Sequence, residues 1–178
     1  MQLKDKTAII TGGAQGIGRE TTLTFVREGC TVMIWDIDEA KAEETKKMAG
    51  EDADKIHFKS VDIRSYEAVE SATEDAAKAL GKIDILVNNA GVTADSTLKK
   101  MTSEQWQKVI DVNLTGVFNC GKAVALKMME SGGGRIINTS SVVAHNGNFG
   151  QSNYVATKTG VIGLAKVWAK ELGRHGIT

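Results

Sequence analysis

The chain has 178 residues, 42% of them apolar and 25% charged, and its 22 basic side chains are set against 22 acidic ones. The composition is near globular norms, and the length suffices for one domain with a sizeable core. Zero net charge gives no ground for a nucleic-acid or acidic-membrane partner, and no apolar stretch approaches the roughly 20 residues of a spanning helix.

The first expected strand, near residues 7–11, contains Ala8-Ile9-Ile10. It leads through Thr11-Gly12-Gly13-Ala14-Gln15-Gly16-Ile17-Gly18 into a helix near 16–28. Glycines at such a place let the backbone turn tightly and let a ligand come close. The helix N-terminus beyond them offers unpaired N–H groups and a positive dipole end. Together these make a pyrophosphate cradle, spaced Gly12-x-x-x-Gly16-x-Gly18 rather than as the Gly-x-Gly-x-x-Gly fingerprint. A second strand, near 31–36, ends at Asp36, 18 residues beyond Gly18. An acid there suits a hydrogen bond to an adenosine ribose hydroxyl. The alternative is that Asp36 caps the next helix, near 38–49, which Asp38 could do instead.

A third strand is expected near 55–61 and a helix near 65–80, closed by Gly81 in the left-handed C′ position. A fourth strand near 83–88 precedes a long helix near 103–130, which opens on a capping box of Thr102 and Gln105 and carries Asn113. Gly132-Gly133-Gly134 separates that helix from a fifth strand near 134–140, which runs into Ser140-Ser141. Tyr154 follows Ser141 by 13 residues, and Lys158 follows one helical turn later, so the last two share a face of the final helix, near 154–173. His175-Gly176-Ile177-Thr178 looks like a turn leading into another strand.

Strand–helix alternation with nearly continuous apolar strands predicts an α/β fold. Its core is a doubly wound, Rossmann-like parallel sheet with the ligand at the carboxyl ends of the strands. Residues 1–178 read as one dinucleotide-binding domain that stops before its last strand or strands. Cys30 and Cys120 are expected to be reduced packing residues, and with His57, His145 and His175 they make no metal motif. Trp106 and Trp168 are expected in helix interfaces. The opening Met-Gln-Leu-Lys-Asp-Lys does not read as a secretory leader, and the expected location is the cytoplasm.

Taken together, Thr11-Gly-x-x-x-Gly-x-Gly18, Asn88-Asn89-Ala90-Gly91, Asn113, Ser141 and Tyr154-x-x-x-Lys158 resemble the short-chain dehydrogenase/reductase family in order and spacing. Ser141-Val-Val, Gly150-Gln151-Ser-Asn-Tyr154 and Gly160-Val-Ile-Gly163 resemble its bacterial 3-oxoacyl-(acyl-carrier-protein) reductase branch. The resemblance implies a catalytic set of Asn113, Ser141, Tyr154 and Lys158, with Ser141 chosen over Ser140 by the family's spacing to the tyrosine. It implies cofactor contacts from Thr11, Gly12, Gln15, Gly16, Ile17, Gly18, Asp36, Asp62, Ile63, Asn89, Ala90 and Gly91, together with Tyr154 and Lys158. Substrate contacts would come from Ser141, Gln151 and Tyr154. Thr11 would tie the glycine turn to the fourth strand, and Asp62 would meet the adenine. Asp62 has a competing reading as the cap of the helix near 65–80.

The chemistry suits these residue types. A carbonyl that accepts a hydride develops negative charge on oxygen, which needs donors and then a proton. Tyr154 can give that proton. A phenol titrates near 10 in water, and a neighbouring ammonium favours its ionised form. Lys158 is the ammonium at hand, Ser141 would hold the substrate oxygen, and the family makes Asn113 the anchor of a water chain from Lys158 to bulk.

Many reductases of the branch use NADPH and carry a basic residue in the glycine turn. Here the turn holds Gln15, and Asp36 would oppose a 2′-phosphate, so the expectation is NAD(H) in preference to NADP(H). The substrate class is a small carbonyl compound or an acyl thioester, with acyl carrier protein as a candidate carrier. The basic patch such a carrier needs is thin, because Gly132-Gly133-Gly134 replaces one of its sites. Two alternatives remain: a dehydrogenase of another secondary alcohol (sugar, polyol or steroid), and a catalytically idle cofactor-binding protein. The family's pairing through its long and last helices implies a homodimer or homotetramer.

Overall fold

The strands build a single parallel sheet in the order β3-β2-β1-β4-β5. They are β1 (Thr7–Thr11), β2 (Thr31–Asp36), β3 (Ile56–Ser60), β4 (Ile85–Asn88) and β5 (Arg135–Asn138). The structure is a computed structural model and describes residues 1–178. Seven α-helices accompany the sheet: α1 (Gly16–Arg27), α2 (Glu39–Met48), α3 (Tyr66–Leu80), α4 (Ser103–Ile110), α5 (Gly116–Glu130), the single turn α6 (Val143–Asn146) and α7 (Ser152–Leu172).

The inner strands β1, β2 and β4 are largely apolar because both faces of the sheet are covered there, whereas β3 and β5 at its edges carry His57, Lys59 and Arg135. Ala8, Ile10, Val32, Ile34, Ile85 and Val87 cluster with Val26 of α1 and Ala42 of α2. Ile9, Met33 and Leu86 point the other way, against Val69 and Ala72 of α3, Cys120 and Val124 of α5 and Leu172 of α7. This is the doubly wound arrangement expected from the sequence. Both cysteines lie in these cores without a disulfide, and burial, first among the causes, pushes each thiol up to about 12. The Trp168 ring fits against Gly121, where an added Cβ would lie 2.3 Å from it. Trp106 differs from expectation, being 41% exposed on α4.

The helix ends follow local chemistry. Asp38 accepts from the Lys41 N–H and caps α2. Ser65 caps α3 through the Ala68 N–H. Thr102 and Gln105 form the expected capping box. Gly81 closes α3 at φ 78°.

Sequence periodicity gave one uninterrupted helix near 103–130. The structure instead interrupts it with a π-helical turn at Asp111–Thr115, and Asn113 sits inside that turn, fully buried. Such widened turns concentrate at functional sites. Contrary to the hydropathy expectation, the run Ser103–Glu130 is long and apolar enough by length and composition to cross a membrane. More than half of its apolar window is buried within the fold, where α5 packs on α3.

Residues 176–178 run alongside β5. The Gly134 N–H donates to the Gly176 carbonyl, the Thr178 N–H to Gly134 and the Ile136 N–H to Thr178, at 3.2, 3.0 and 2.9 Å. The expected turn into a further strand is present as far as these residues go. Strand order reverses between β1 and β4, and the crevice of a doubly wound sheet opens at the carboxyl ends of such a pair.

Candidate active site

The glycines of the first turn do separate jobs. Gly12 has φ +64°, and an added Cβ there would lie 2.9 Å from the Ala90 backbone. At Gly18 a Cβ would lie 2.0 Å from the Gly12 carbonyl oxygen, so α1 can approach the turn only without a side chain. Gly16, at φ +55°, has nothing within 4 Å of that position and leaves its face of the turn open. No side chain caps α1, so its first N–H groups are left without a capping partner. This cradle fits a dinucleotide's pyrophosphate.

Thr11 and Asn89 hold the turn on β4. The Thr11 hydroxyl accepts from the Asn89 and Ala90 N–H groups, each at 3.0 Å. The Asn89 amide donates to the Thr11 and Gly12 carbonyls at 3.1 and 3.3 Å. The expected tie between glycine turn and fourth strand is therefore a four-bond clasp.

A cleft of about 470 Å³ opens beside the cradle. Gly12, Gln15, Ile17, Asp36, Asp62, Ile63, Asn89, Ala90 and Gly91 line it, with Trp35, Ile37, Val61, Arg64, Lys108 and Val112, which sequence reasoning did not name. Asp36 is not a helix cap. Its carboxylate accepts from the N–H groups of Ala14, Ile37 and Asp38 at 3.1, 2.8 and 3.2 Å. Asp62 does not cap α3 either. It forms a forked pair with Arg64, closest at 2.6 Å, and that guanidinium holds its carboxyl below the usual carboxylate range.

Of the four expected catalytic residues, Asn113 and Lys158 meet at Gly91, a residue of the cleft wall, and Tyr154 lies beside Lys158. Lys158 is 4% exposed, and its ammonium donates to the Thr139 carbonyl at 2.6 Å. Burial lowers its pKa. The ammonium lies 5.7 Å from the centre of the Tyr154 ring. A Cβ on Gly91 would be 3.3 Å from Asn113 Oδ1 and 3.8 Å from Lys158 Nζ, so both groups gather around that glycine. The two adjacent serines are used differently. Ser140 Oγ donates to the Lys158 carbonyl at 2.9 Å, whereas Ser141 Oγ has only a long contact from the Val143 N–H at 3.4 Å.

Asn113 uses both ends of its side chain on Val92. Its oxygen accepts the Val92 N–H at 2.8 Å and its amide donates to the Val92 carbonyl at 2.9 Å. Gln151 donates to Asp95 at 2.8 Å, and the Ser96 N–H donates to Gly150 at 2.8 Å. Asn153 is fully buried and donates to the Ala94 and Gln105 carbonyls. The sequence reading missed Asn153 and Asp95; the available signal was an asparagine in a helix's first turn, where such side chains bind backbone. It also counted the 132–134 turn as one site of the carrier's basic patch. The structure puts those glycines before β5, at the opposite end of that strand from Ser141.

A doubly wound sheet with a glycine cradle and a Ser–Tyr–Lys cluster at its carboxyl end defines a nucleotide-dependent oxidoreductase. The comparisons name the family: the model for short chain dehydrogenases matches residues 6–178. The chain belongs to the short-chain dehydrogenase/reductase family and is an NAD(P)-dependent oxidoreductase of that kind. It is 43% identical over 177 residues to the 3-oxoacyl-(acyl-carrier-protein) reductase FabG of Thermotoga maritima, covering 99% of this chain and 72% of that protein. It is 40% identical over 178 residues to the enzyme of that name from Vibrio harveyi, covering 100% and 72%. For the Staphylococcus aureus enzyme the identity is 43% over 177 residues, covering 97% and 71%.

These relatives correct the cofactor expectation. They carry the name of the branch in which NADPH is the preferred cofactor, so the expected preference for NAD(H) does not stand. The three backbone donors leave the Asp36 carboxylate charged. The structure adds a charge that the sequence reasoning did not count: the Lys41 ammonium of α2 reaches Gln15 Oε1 at 2.6 Å, bringing to the glycine turn a positive charge that its own residues lack.

Proposed function

We propose that the chain reduces a 3-oxoacyl thioester, with Tyr154 as the general acid. The relatives' names supply the substrate class, and the buried Lys158 ammonium, 5.7 Å from the Tyr154 ring and packed at the cleft-lining Gly91, carries the reading. A bound nicotinamide dinucleotide would supply the hydride. The residues of this chain do the rest. Gly12, Gly16, Gly18 and the α1 N-terminus hold the pyrophosphate, and Asp62 and Ile63 face the adenine. Ser141, whose hydroxyl has the weaker internal engagement of the two serines, holds the substrate oxygen. Tyr154 delivers a proton to that oxygen as charge develops on it.

Lys158 stands behind Tyr154 as a buried cation that favours the phenolate left after transfer. Asn113 fixes the backbone at Val92 beside that cation, from where the family's water chain would lead to bulk. The enzyme works in the cytoplasm as a homodimer or homotetramer. Acyl carrier protein is the candidate carrier.

The test is a panel of ketones assayed with NADPH and with NADH. An acetoacetyl thioester should be reduced faster than a sugar ketone or a steroid ketone. Turnover of another alcohol with no activity on any 3-oxoacyl thioester would overturn the substrate assignment. Loss of all activity across the panel, with cofactor still bound, would overturn the catalytic one.

A further inference from the structure

We infer that Asn153 is a positioning residue for the reaction: it fixes the start of α7, and with it Tyr154, against the loop that follows β4. The inference rests on the assignment of Tyr154 as the general acid.

The loop is residues 91–96, which follow β4 and begin at the cleft wall with Gly91 and Val92. It is fastened at alternate residues. Asn113 holds Val92 by both backbone groups. Asn153 holds Ala94, donating from Nδ2 to its carbonyl at 2.9 Å. Ser96 is held by the Gly150 carbonyl at 2.8 Å, with Gln151 bonded to Asp95 beside it. The fastening begins at Val92, next to the Gly91 that lies beside the Lys158 ammonium, and ends at the residues just before α7. Of the three ties, the middle one comes from the residue directly before Tyr154.

Asn153 does more than tie the loop. Its Oδ1 accepts the Tyr154 N–H at 2.7 Å. That N–H is one of the first-turn donors which a helix leaves unpaired, and no side chain of the capping residue Gln151 serves α7. Its Nδ2 also donates to the Gln105 carbonyl of α4 at 3.2 Å. One fully buried side chain thus joins the tyrosine's own backbone, the loop and a neighbouring helix.

The position asks for one acceptor and two donors, which is what a primary amide offers. Aspartate has the same shape and no donor when ionised. Leucine has similar shape and neither. Buried groups left without partners are costly, so neither replacement can keep the three elements in register. A proton donor displaced by about an ångström can lose on the order of 10²-fold in rate.

The experiment compares Asn153→Leu and Asn153→Asp with the unmodified enzyme on an acetoacetyl thioester and NADPH. Turnover should fall by about 10–100-fold, while the NADPH dissociation constant, measured by titration in the absence of substrate, stays within about threefold. Combining Asn153→Leu with Tyr154→Phe should be no worse than Tyr154→Phe alone, because both act through one proton transfer. If Asn153→Leu does not fold, Asn153→Ser, which keeps an acceptor and one donor, is measured in its place with the same expectation. A folded variant with turnover within threefold of the unmodified enzyme overturns the inference, as does an equal loss in cofactor binding. A fully active Tyr154→Phe enzyme would instead remove the assignment of the general acid.

Discussion

The Lys158 ammonium donates to the Thr139 carbonyl at 2.6 Å, while the Ser140 hydroxyl donates to the carbonyl of Lys158 itself at 2.9 Å. The segment after β5 and the Tyr154–Lys158 stretch of α7 are therefore locked to each other in both directions. This lock holds Ser141 and Tyr154, which lie on different elements, in a fixed relation.

Replacing Tyr154 by Phe should remove about 10²–10⁴-fold of turnover, the usual worth of a positioned acid. Cofactor affinity should change by no more than a few-fold, because the ring remains. Steady-state kinetics beside a binding titration checks both. A variant retaining a tenth of the rate contradicts the assignment.

Lys158 is a buried cation whose pKa is lowered by that burial. Its charge is lost as pH rises, and at a lower pH than for a lysine in water, near 10.4. Ketone reduction should therefore decline on the alkaline side before the ordinary lysine range is reached. Lys158→Ala should lower turnover and cofactor affinity together. A pH–rate profile flat to pH 10 would contradict this account.

Gly18→Ala forces a Cβ to 2.0 Å from the Gly12 carbonyl oxygen. The turn must open, and overpacking of this kind costs about 1–3 kcal/mol. Dinucleotide binding should weaken at least tenfold, and the thermal midpoint should fall. Gly16→Ala meets no atom, although its φ of +55° strains any side chain. It should damage cofactor binding more than thermal stability.

Asp84 binds the amino ends of β1 and β4 together. It accepts from the Thr7 N–H at 3.1 Å and pairs with Lys82 at 2.7 Å and Lys6 at 3.5 Å. Burial pushes its pKa up, but the Lys82 and Thr7 hydrogen bonds and the charges of Lys82 and Lys6 outweigh this and leave it lowered. A carboxylate depressed in the fold stabilises above its unfolded value, near 3.9, and loses that contribution as pH falls through the folded value. Asp84→Asn should cost about 1–3 kcal/mol at neutral pH. The gap between the two proteins in urea unfolding should close below about pH 4.

Much of this was legible in the sequence because it depends on local periodicity. The five strands and five longer helices follow from apolar runs and caps such as Thr102 with Gln105. Gly12, Gly18, Tyr154 and Lys158 are marked by spacing along one element or its turn, and Ser141 by the resembling family's spacing to the tyrosine. What escaped depends on tertiary contact. Asn153 looks like any polar residue of a first helical turn until Ala94 and Gln105 are brought to it. Asp36 carries the signature of a ribose ligand, but the Lys41 charge that α2 brings to Gln15 becomes visible only in the fold. The π turn at Asp111–Thr115 has no composition of its own.

That turn also changes how the helical run from Ser103 to Glu130 must be read. Each α-helical residue advances about 100° around the axis, and a turn closed by i→i+5 bonds holds one residue more than its neighbours. Everything before Asp111 is therefore out of phase with everything after Thr115, and a single helical wheel drawn through both halves assigns the wrong inner face to one of them. A one-residue deletion in the turn would straighten the helix, but it would also swing Gln105 away from Asn153 or the inner face of α5 away from α3. The extra residue acts as a phase shifter, and the two halves can vary in sequence only if the offset between them is kept.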